Sequence, residues 1–355
     1  MKQAKRLRIA LLFGGRGAEH DISLKSAASV ALALSSESEL ICVGITKVGE
    51  VYLYTGTPDK IENGTWEQES SRLFPTSFVR LGQKKGLLLG GAVLPVDVVF
   101  PVLHGDFGED GKVQGWLECI DLPYVGSRPL AGALCQDKAL TKIIAEHLSI
   151  PTVPWCVLRS HTPFAEAKLQ IRAAMHDEEY PLILKPTALG SSIGVFTVRS
   201  DAELRSALCE AAPYGDMLVE RYLPRVREVE VCYLDTDEEH YFVGEVNLPE
   251  RDTPYTYEKK YKTKICPVRE EPPAPSVEQA LRYYCRALVE LLSIRGVCRL
   301  DFFLAETGKI YFNEINTFPG FSSQSFYPQM CEKGGFDYKT LLLTLCEVAY
   351  DRHIR

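Results

Sequence analysis

An α/β protein built on a parallel sheet is the fold that this sequence predicts, and three stretches carry the prediction. Residues 8–13 (RIALLF) read as a strand that runs into Gly14-Gly15. Ser23 then opens a helix with Leu24, Ala27, Ala28, Ala31 and Leu34 on one stripe, and residues 40–46 read as strand again. Further on, residues 96–103 form a buried strand that leads through the loop HGDFGEDG into a helix over 112–119. Such strand–helix–strand alternation implies parallel strands with helices on both faces. The chain has 355 residues, and at roughly 100–200 residues per domain that means two or three domains.

The remaining elements follow in order. Residues 55–92 are polar and irregular and read as an insertion. Residues 131–148 form a helical stretch, with Pro151 and Pro154 beyond it. Residues 182–199 read as strand, glycine-rich loop, strand; 202–212 as helix; 217–222 as strand. Strands at 228–234 and 241–247 precede a charged, tyrosine-rich segment, 248–271, of a length that a compact domain keeps only for function or disorder. After the breaker EEPPAP, Ser276 and Gln279 form a capping box. The helix that follows buries Ala280, Leu281, Tyr284, Ala287, Leu288, Leu291 and Leu292, and Gly296 ends it.

Composition excludes several classes. With 46% hydrophobic and 25% charged residues the chain is an ordinary globular one, neither disordered nor fibrous. A net charge of −7 and no basic stripe argue against nucleic-acid binding. Isolated basic groups, Arg225/Arg227 and Lys259/Lys260/Lys262/Lys264, remain able to meet phosphates. The 11 cysteines include no pair at C-x2-C or C-x4-C spacing, so they read as reduced, mostly buried thiols of a cytoplasmic protein. The apolar run 9–13 is too short for a signal segment. Gly90-Gly91, Pro95, Asp97 and Pro101 break 87–103 into two strands, not a membrane span.

The segment VCRLDFFLAETGKIYFNEINTFP (297–319) is the most informative. A two-residue turn at Thr307-Gly308 makes it a hairpin, which pairs Glu306 with Lys309, Ala305 with Ile310, Asp301 with Glu314 and Arg299 with Asn316. Alternation puts Arg299, Asp301, Phe303, Phe312, Glu314 and Asn316 on one face, and Asn313 on the other, mostly apolar one. Opposed residues have Cβ atoms about 5 Å apart, where like charges repel. Two carboxylates and an amide oxygen so placed call for a cation, and oxygen ligands suit Mg²⁺ with phosphates. Lys185-Pro186 followed by GSSIG (190–194) offers a phosphate a point charge, free amides and hydroxyls. No P-loop is present, and GGRGAEH carries His20 where a dinucleotide fingerprint needs glycine. Glu19, His20 and His104 follow strands, where open α/β sheets bind ligands.

Taken in order, GGRGAEHDISLKS (14–26), VLHGDFGEDGKVQGWLE (102–118), LPYVGS (122–127), DK (137–138), LKPTALGSSIGV (184–195), LVERYL (218–223), TYEKKY (256–261), CRLDFFL (298–304) and NEINTFPGFSSQSFYP (313–328) cover nearly the whole chain. Together they resemble the D-alanine–D-alanine ligases of the ATP-grasp superfamily. The resemblance implies a three-domain ATP-grasp architecture: an N-terminal parallel α/β domain (1–128), a central subdomain (129–223) and a C-terminal domain (224–355), the last two clamping the nucleotide. It implies ATP and Mg²⁺, two ions with Mn²⁺ able to substitute, D-alanine as substrate, a homodimer, and a role in peptidoglycan precursor supply. By the same resemblance, Lys138 and Lys185 meet nucleotide phosphates beside Ser192. Glu220 and Leu223 hold adenine, and Glu228 holds ribose. Asp301, Glu314 and Asn316 ligate metal. Arg299 and the Gly320 N–H stabilise the oxyanion. Glu19, with Ser191 and Tyr261, holds the first D-alanine and closes the site, near His104. Lys260 reaches the transferred phosphate, and 248–271 is a lid. Ser325 and Phe326 face the second substrate. Phe326 departs from the aliphatic residue of dipeptide ligases and from the arginine of D-serine ligases. Phe326 thus speaks against D-serine, but the insertion at 55–92 and PVLHGDFGEDG look like the branch that contains resistance ligases, so a D-alanine–D-serine ligase is the alternative, followed by another ATP-grasp ligase and a non-catalytic nucleotide sensor.

Overall fold

The computed structural model describes residues 6–176, 180–246 and 273–354. The segment 248–271, with Lys260 and Tyr261, lies outside the described residues. The first third of the chain contributes β1 (Arg8–Gly14), β2 (Glu39–Ile45), β3 (Val51–Tyr54), β4 (Leu73–Pro75), β5 (Phe78–Leu81), β6 (Lys84–Leu89), β7 (Ala92–Pro95) and β8 (Val98–Val102). Five of these form a sheet in the order β4-β3-β2-β1-β8, in which β1 is parallel to both β2 and β8. β1 is apolar on both faces because both are covered. Ile9, Leu11 and Phe13 pack with Leu24, Ala27 and Leu341, and Ala10 and Leu12 pack with Val113 and Leu117. A continuous apolar run is what a doubly covered parallel strand requires.

The helix after β1 is His20–Leu34, so it begins three residues before Ser23. Ser23 has another task. Its Oγ accepts the Gly14 N–H at 2.8 Å and donates to the Val102 carbonyl, tying the ends of β1 and β8 together. Residues 55–92 are not irregular. They hold a helix, Pro58–Glu62, the edge strand β4, and an antiparallel meander β5-β6-β7. Trp66 is fully buried here, edge-on to Phe13 at 5.2 Å between ring centres. Strands of three to six residues are too short for alternation to stand out from polar turns, which is why the sequence hides them. Region 87–103 accordingly contains parts of three strands and not two.

A second sheet, β11-β10-β12-β9, is antiparallel throughout and consists of β9 (Trp155–Leu158), β10 (Leu182–Pro186), β11 (Phe196–Val198) and β12 (Met217–Arg221). The third, β14-β13-β15-β16, consists of β13 (Arg227–Asp235), β14 (Glu239–Glu245), β15 (Val297–Leu304) and β16 (Ile310–Asn316). No helix among the described residues is long and apolar enough to cross a membrane.

Four expectations are corrected. Residues 131–148 form two helices, Pro129–Gln136 and Lys138–His147. Asp137 breaks them: its backbone is extended and its side chain caps the second helix through the Ala139 and Leu140 N–H groups. The Ser276–Gln279 capping box does not form. Pro275 is the first helical residue, where its missing N–H is no loss. That helix, Pro275–Leu292, ends on Ser293 in a left-handed conformation and not at Gly296. It buries Cys285 and Val289, while Leu291 stands exposed.

The hairpin pairs Arg299 with Asn316 and Asp301 with Glu314, as the sequence predicts. A bulge follows Asp301, and from there Phe302 faces Phe312 and Leu304, not Ala305, faces Ile310. The irregularity reverses two assignments. Phe312 turns into the core, fully buried against Phe302, and Asn313 turns toward Lys185.

Candidate active site

Two adjoining cavities open where the three larger sheets meet. The larger, about 440 Å³, is lined by Glu19, His104, Glu109, Gly320, Ser325 and Phe326 among others. The smaller, about 220 Å³, is lined by Lys185, Glu220, Leu223, Glu228, Asp301 and Asn313 among others. Lys138, Ser191, Ser192, Glu230, Arg299 and Glu314 line both and so form the wall between them. Every described residue given a site role by the family resemblance borders one cavity or both, whereas His20, Arg225 and Arg227 border neither.

Glu19 sits at the N-terminal end of helix His20–Leu34, and its carboxylate accepts the Ser191 hydroxyl. Gly105 lies against it with φ +62°, and a Cβ there would stand 1.8 Å from Glu19 Oε2, so a side chain would be strained and would push the carboxylate aside. Ser191 and Ser192 both hold left-handed backbone at φ 53° and 57°. That costs a non-glycine residue energy and aims the glycine-rich loop at the cavity. His104 is buried with both ring nitrogens engaged. Nδ1 donates to the Phe318 carbonyl at 3.1 Å, which leaves Nε2 to face Ser26 Oγ at 3.4 Å.

On the hairpin, Arg299 grips Asp301 with two hydrogen bonds of 2.7 Å and reaches Glu230 at 3.1 Å. Burial alone would lower the Arg299 pKa, but Asp301 and Glu230 outweigh it and hold the guanidinium charged. Asn316 donates to Asp301 at 3.1 Å, and Lys138 lies 3.3 Å from Glu314. Lys138 also donates to the Leu189 carbonyl at 2.7 Å. The helix break at Asp137 makes this possible, because the Lys138 N–H is left to bond Thr187 O at 2.8 Å. The two opposed carboxylates are therefore each met by a cation of the protein. Among the described residues no three His, Cys, Asp or Glu side chains cluster as a metal site. The donor set is two carboxylates and an amide beside open space, and hard cations take such oxygens together with substrate oxygens and water.

In the smaller cavity Lys185 lies 2.7 Å from Glu220 and 2.8 Å from Asn313 Oδ1. A second lysine, Lys142, lies 2.5 Å from the other Glu220 oxygen. Burial pushes Glu220 up, but the two ammonium groups overcome it and hold the carboxyl at about 2, so it stays ionised. In the larger cavity Ser325 Oγ is 2.8 Å from Ser322 Oγ. Phe326 begins helix Phe326–Lys333 and is nearly buried, its ring against Gly244.

Four residues of the site escape the sequence reading: Glu109, Lys142, Glu230 and Asn313. Lys142 has a signal, since it lies one turn after Lys138 on the same helix face. Glu230 has one too, two residues after Glu228 on a strand of period two. Asn313 has none, because only the bulge turns it inward. Glu109 accepts the Gly105 and Phe318 N–H groups at 2.9 and 3.2 Å, joining the loops after β8 and β16. Burial, then the nearby Glu19, pushes it up to about 8. An unfolded glutamate titrates near ~4.3. The native chain therefore keeps a proton that the unfolded chain has lost between these values, and stability falls as pH rises through this window. Glu109→Gln removes that slope. Thermal melts at about pH 5 and about pH 8.5 should move the Tm difference in the variant's favour at the higher pH. A difference that stays constant would contradict a raised Glu109.

Comparison with known proteins agrees along the chain. Residues 8–127 match the family model of the D-ala D-ala ligase N-terminus, and residues 144–347 that of the D-ala D-ala ligase C-terminus. The D-alanine–D-alanine ligase of Thermoanaerobacter sp. (strain X514) is 38% identical over 98% of this chain and 97% of its own length. That of Clostridium acetobutylicum is 34% identical over 98% of both. Among solved structures, the D-alanine–D-alanine ligase of Coxiella burnetii superposes with a TM-score of 0.84 at 29% identity, covering 99% of this chain and 96% of that one. The VanG D-Ala:D-Ser ligase of Enterococcus faecalis superposes with 0.83 at 31%, covering 97% and 100%.

Proposed function

The chain belongs to the D-alanine–D-alanine ligase family and is an enzyme that joins two D-alanines, and from that premise we propose that the larger cavity holds the amino acids and the smaller one ATP. The observation that carries this reading is the shared wall. Lys138, Ser191, Arg299 and Glu314 border both spaces, so a terminal phosphate and a substrate carboxylate brought to that wall meet there. The first step moves the γ-phosphoryl group of ATP to the carboxylate of one D-alanine, giving D-alanyl phosphate and ADP. The amine of the second D-alanine then attacks the acyl carbon, and the tetrahedral species expels phosphate to leave the dipeptide.

In this reading Lys138 and Lys185 neutralise nucleotide phosphates, and the Ser192 loop cradles them. Glu220 and Leu223 hold adenine, and Glu228 the ribose. Glu19, oriented by Ser191, takes the ammonium of the first D-alanine, and His104 keeps the wall beside it in place. Arg299 and the Gly320 N–H face the developing oxyanion, the kind of stabilisation that dominates acyl transfer. Ser325 and Phe326 border the second amino acid. Asp301, Glu314 and Asn316 would hold Mg²⁺, which when bound neutralises phosphate charge. Tyr261 and Lys260 belong to the same reading and lie outside the described residues. The domain bounds 1–128, 129–223 and 224–355 are part of it and are supported by the sheets, each of which falls within one span.

The similarity to the VanG enzyme keeps D-serine in view as second substrate. Phe326 speaks against it, because a nearly buried phenyl ring offers a hydroxyl no partner. Mass spectrometry of the products decides. With ATP, Mg²⁺ and D-alanine, with or without equimolar D-serine, D-alanyl-D-alanine should dominate both mixtures. D-alanyl-D-serine in excess would transfer the chain to the other branch. No dipeptide at all would end the reading.

A further inference from the structure

Lys142 is a fully buried lysine that lines neither cavity. It projects from helix Lys138–His147, with Nζ 2.5 Å from Glu220 Oε1 and 3.4 Å from the Phe312 carbonyl. Burying an ammonium ion is expensive, and Glu220 already has Lys185 on its other oxygen at 2.7 Å. One carboxylate thus carries two ammonium groups, one sealed in the core and one at the edge of the smaller cavity.

The charge count explains the second lysine. With Lys185 alone, the pair would be neutral. Lys185 could then turn to an anion only by leaving Glu220 buried without a counter-ion, which is strongly unfavourable. With Lys142 in place, the carboxylate stays compensated and the group presents one net positive charge to the cavity. We propose that Lys142 is a positioning residue that holds Glu220 neutralised so that Lys185 can serve nucleotide phosphate. The inference rests on the reading of the smaller cavity as the nucleotide site.

Calorimetric titration with Mg²⁺ and a non-hydrolysable ATP analogue tests it, with thermal melts alongside. Lys142→Met should weaken the analogue by about tenfold or more, the scale of a lost charged interaction. Lys142→Arg keeps a positive charge beside Glu220 and should bind the analogue within about threefold of wild type. A purely structural lysine gives a different pattern: in Lys142→Met the Tm falls while the analogue's affinity holds. That pattern would overturn the proposal. Should Lys142→Met fail to fold, Lys142→Arg decides alone, since binding about tenfold weaker than wild type in a folded variant that keeps the charge contradicts the charge count. Lys185→Met separates the two levels. If it leaves the analogue's affinity unchanged, the nucleotide reading itself fails. If it weakens binding while Lys142→Met does not, only the positioning role is lost.

Discussion

Glu314→Gln is expected to lower turnover by about 10²–10³-fold, the cost of losing one preorganised charged group at a reacting centre, while the protein stays folded. The substitution keeps the size and one oxygen of the side chain and removes the charge. Glu314 stands opposite Asp301, lies 3.3 Å from Lys138 and borders both cavities. It is partly open to solvent, and its buried partner Lys138 keeps its hydrogen bond to the Leu189 carbonyl. Asp301 is a poorer choice, because the same change there also takes the bidentate partner from buried Arg299. ADP release measured with D-alanine, beside a thermal melt, reads both quantities. Near-normal turnover in Glu314→Gln would remove Glu314 from the metal-binding set.

Arg299→Lys is the second. One guanidinium makes two 2.7 Å bonds to Asp301 and a third contact to Glu230 at 3.1 Å. A lysine keeps the charge but concentrates it in one nitrogen, which cannot span both carboxylates in that fork geometry. Stability should fall by about 1.5–3 kcal/mol for the charged hydrogen bond that is lost. Turnover should fall by about 10²-fold or more if the guanidinium also faces the oxyanion. A variant that is less stable yet turns over normally at a permissive temperature would make Arg299 a structural clamp only.

Much of this site is legible in the amino-acid order. The facing of Asp301 with Glu314, and of Arg299 with Asn316, follows from a turn at Thr307-Gly308 and a period of two, and the structure has both pairs. The register expected at the turn is nevertheless one residue out of step. The bulge after Asp301 absorbs the difference, so the right residues meet through a pairing that is wrong at the loop. Phe312 and Asn313 record the cost, each expected on the face that the other takes. A bulge has no signature in alternation, since it is the interruption of alternation. Lys142 and Glu109 are hidden for another reason. A charged residue that a partner neutralises in the core looks, in sequence, like any solvated charge, and only the fold supplies Glu220 for one and two backbone amides for the other. Asp137 is a related case. Between two apolar helical stretches it reads as one polar position, whereas its capping bonds start the second helix where the first has ended.

The wiring of the larger cavity also sets a timetable for synthesis. Ser191 meets Glu19 across 172 residues, His104 meets Phe318 across 214, and the Phe321 N–H meets Ser26 across 295. A chain leaving the ribosome from its N-terminus can complete the five-stranded sheet early, as leading domains do. Its Glu19 then waits for Ser191, and His104 and Glu109 wait for the backbone of Phe318. A nascent or truncated product that stops before Phe318 would carry the paired strands of the first sheet without the cover that Leu341 and Leu345 supply, and an open half-site. The larger cavity is therefore complete only when Phe318, Gly320, Ser325 and Phe326 have been added, and a chain terminated before them has no intact wall on that side.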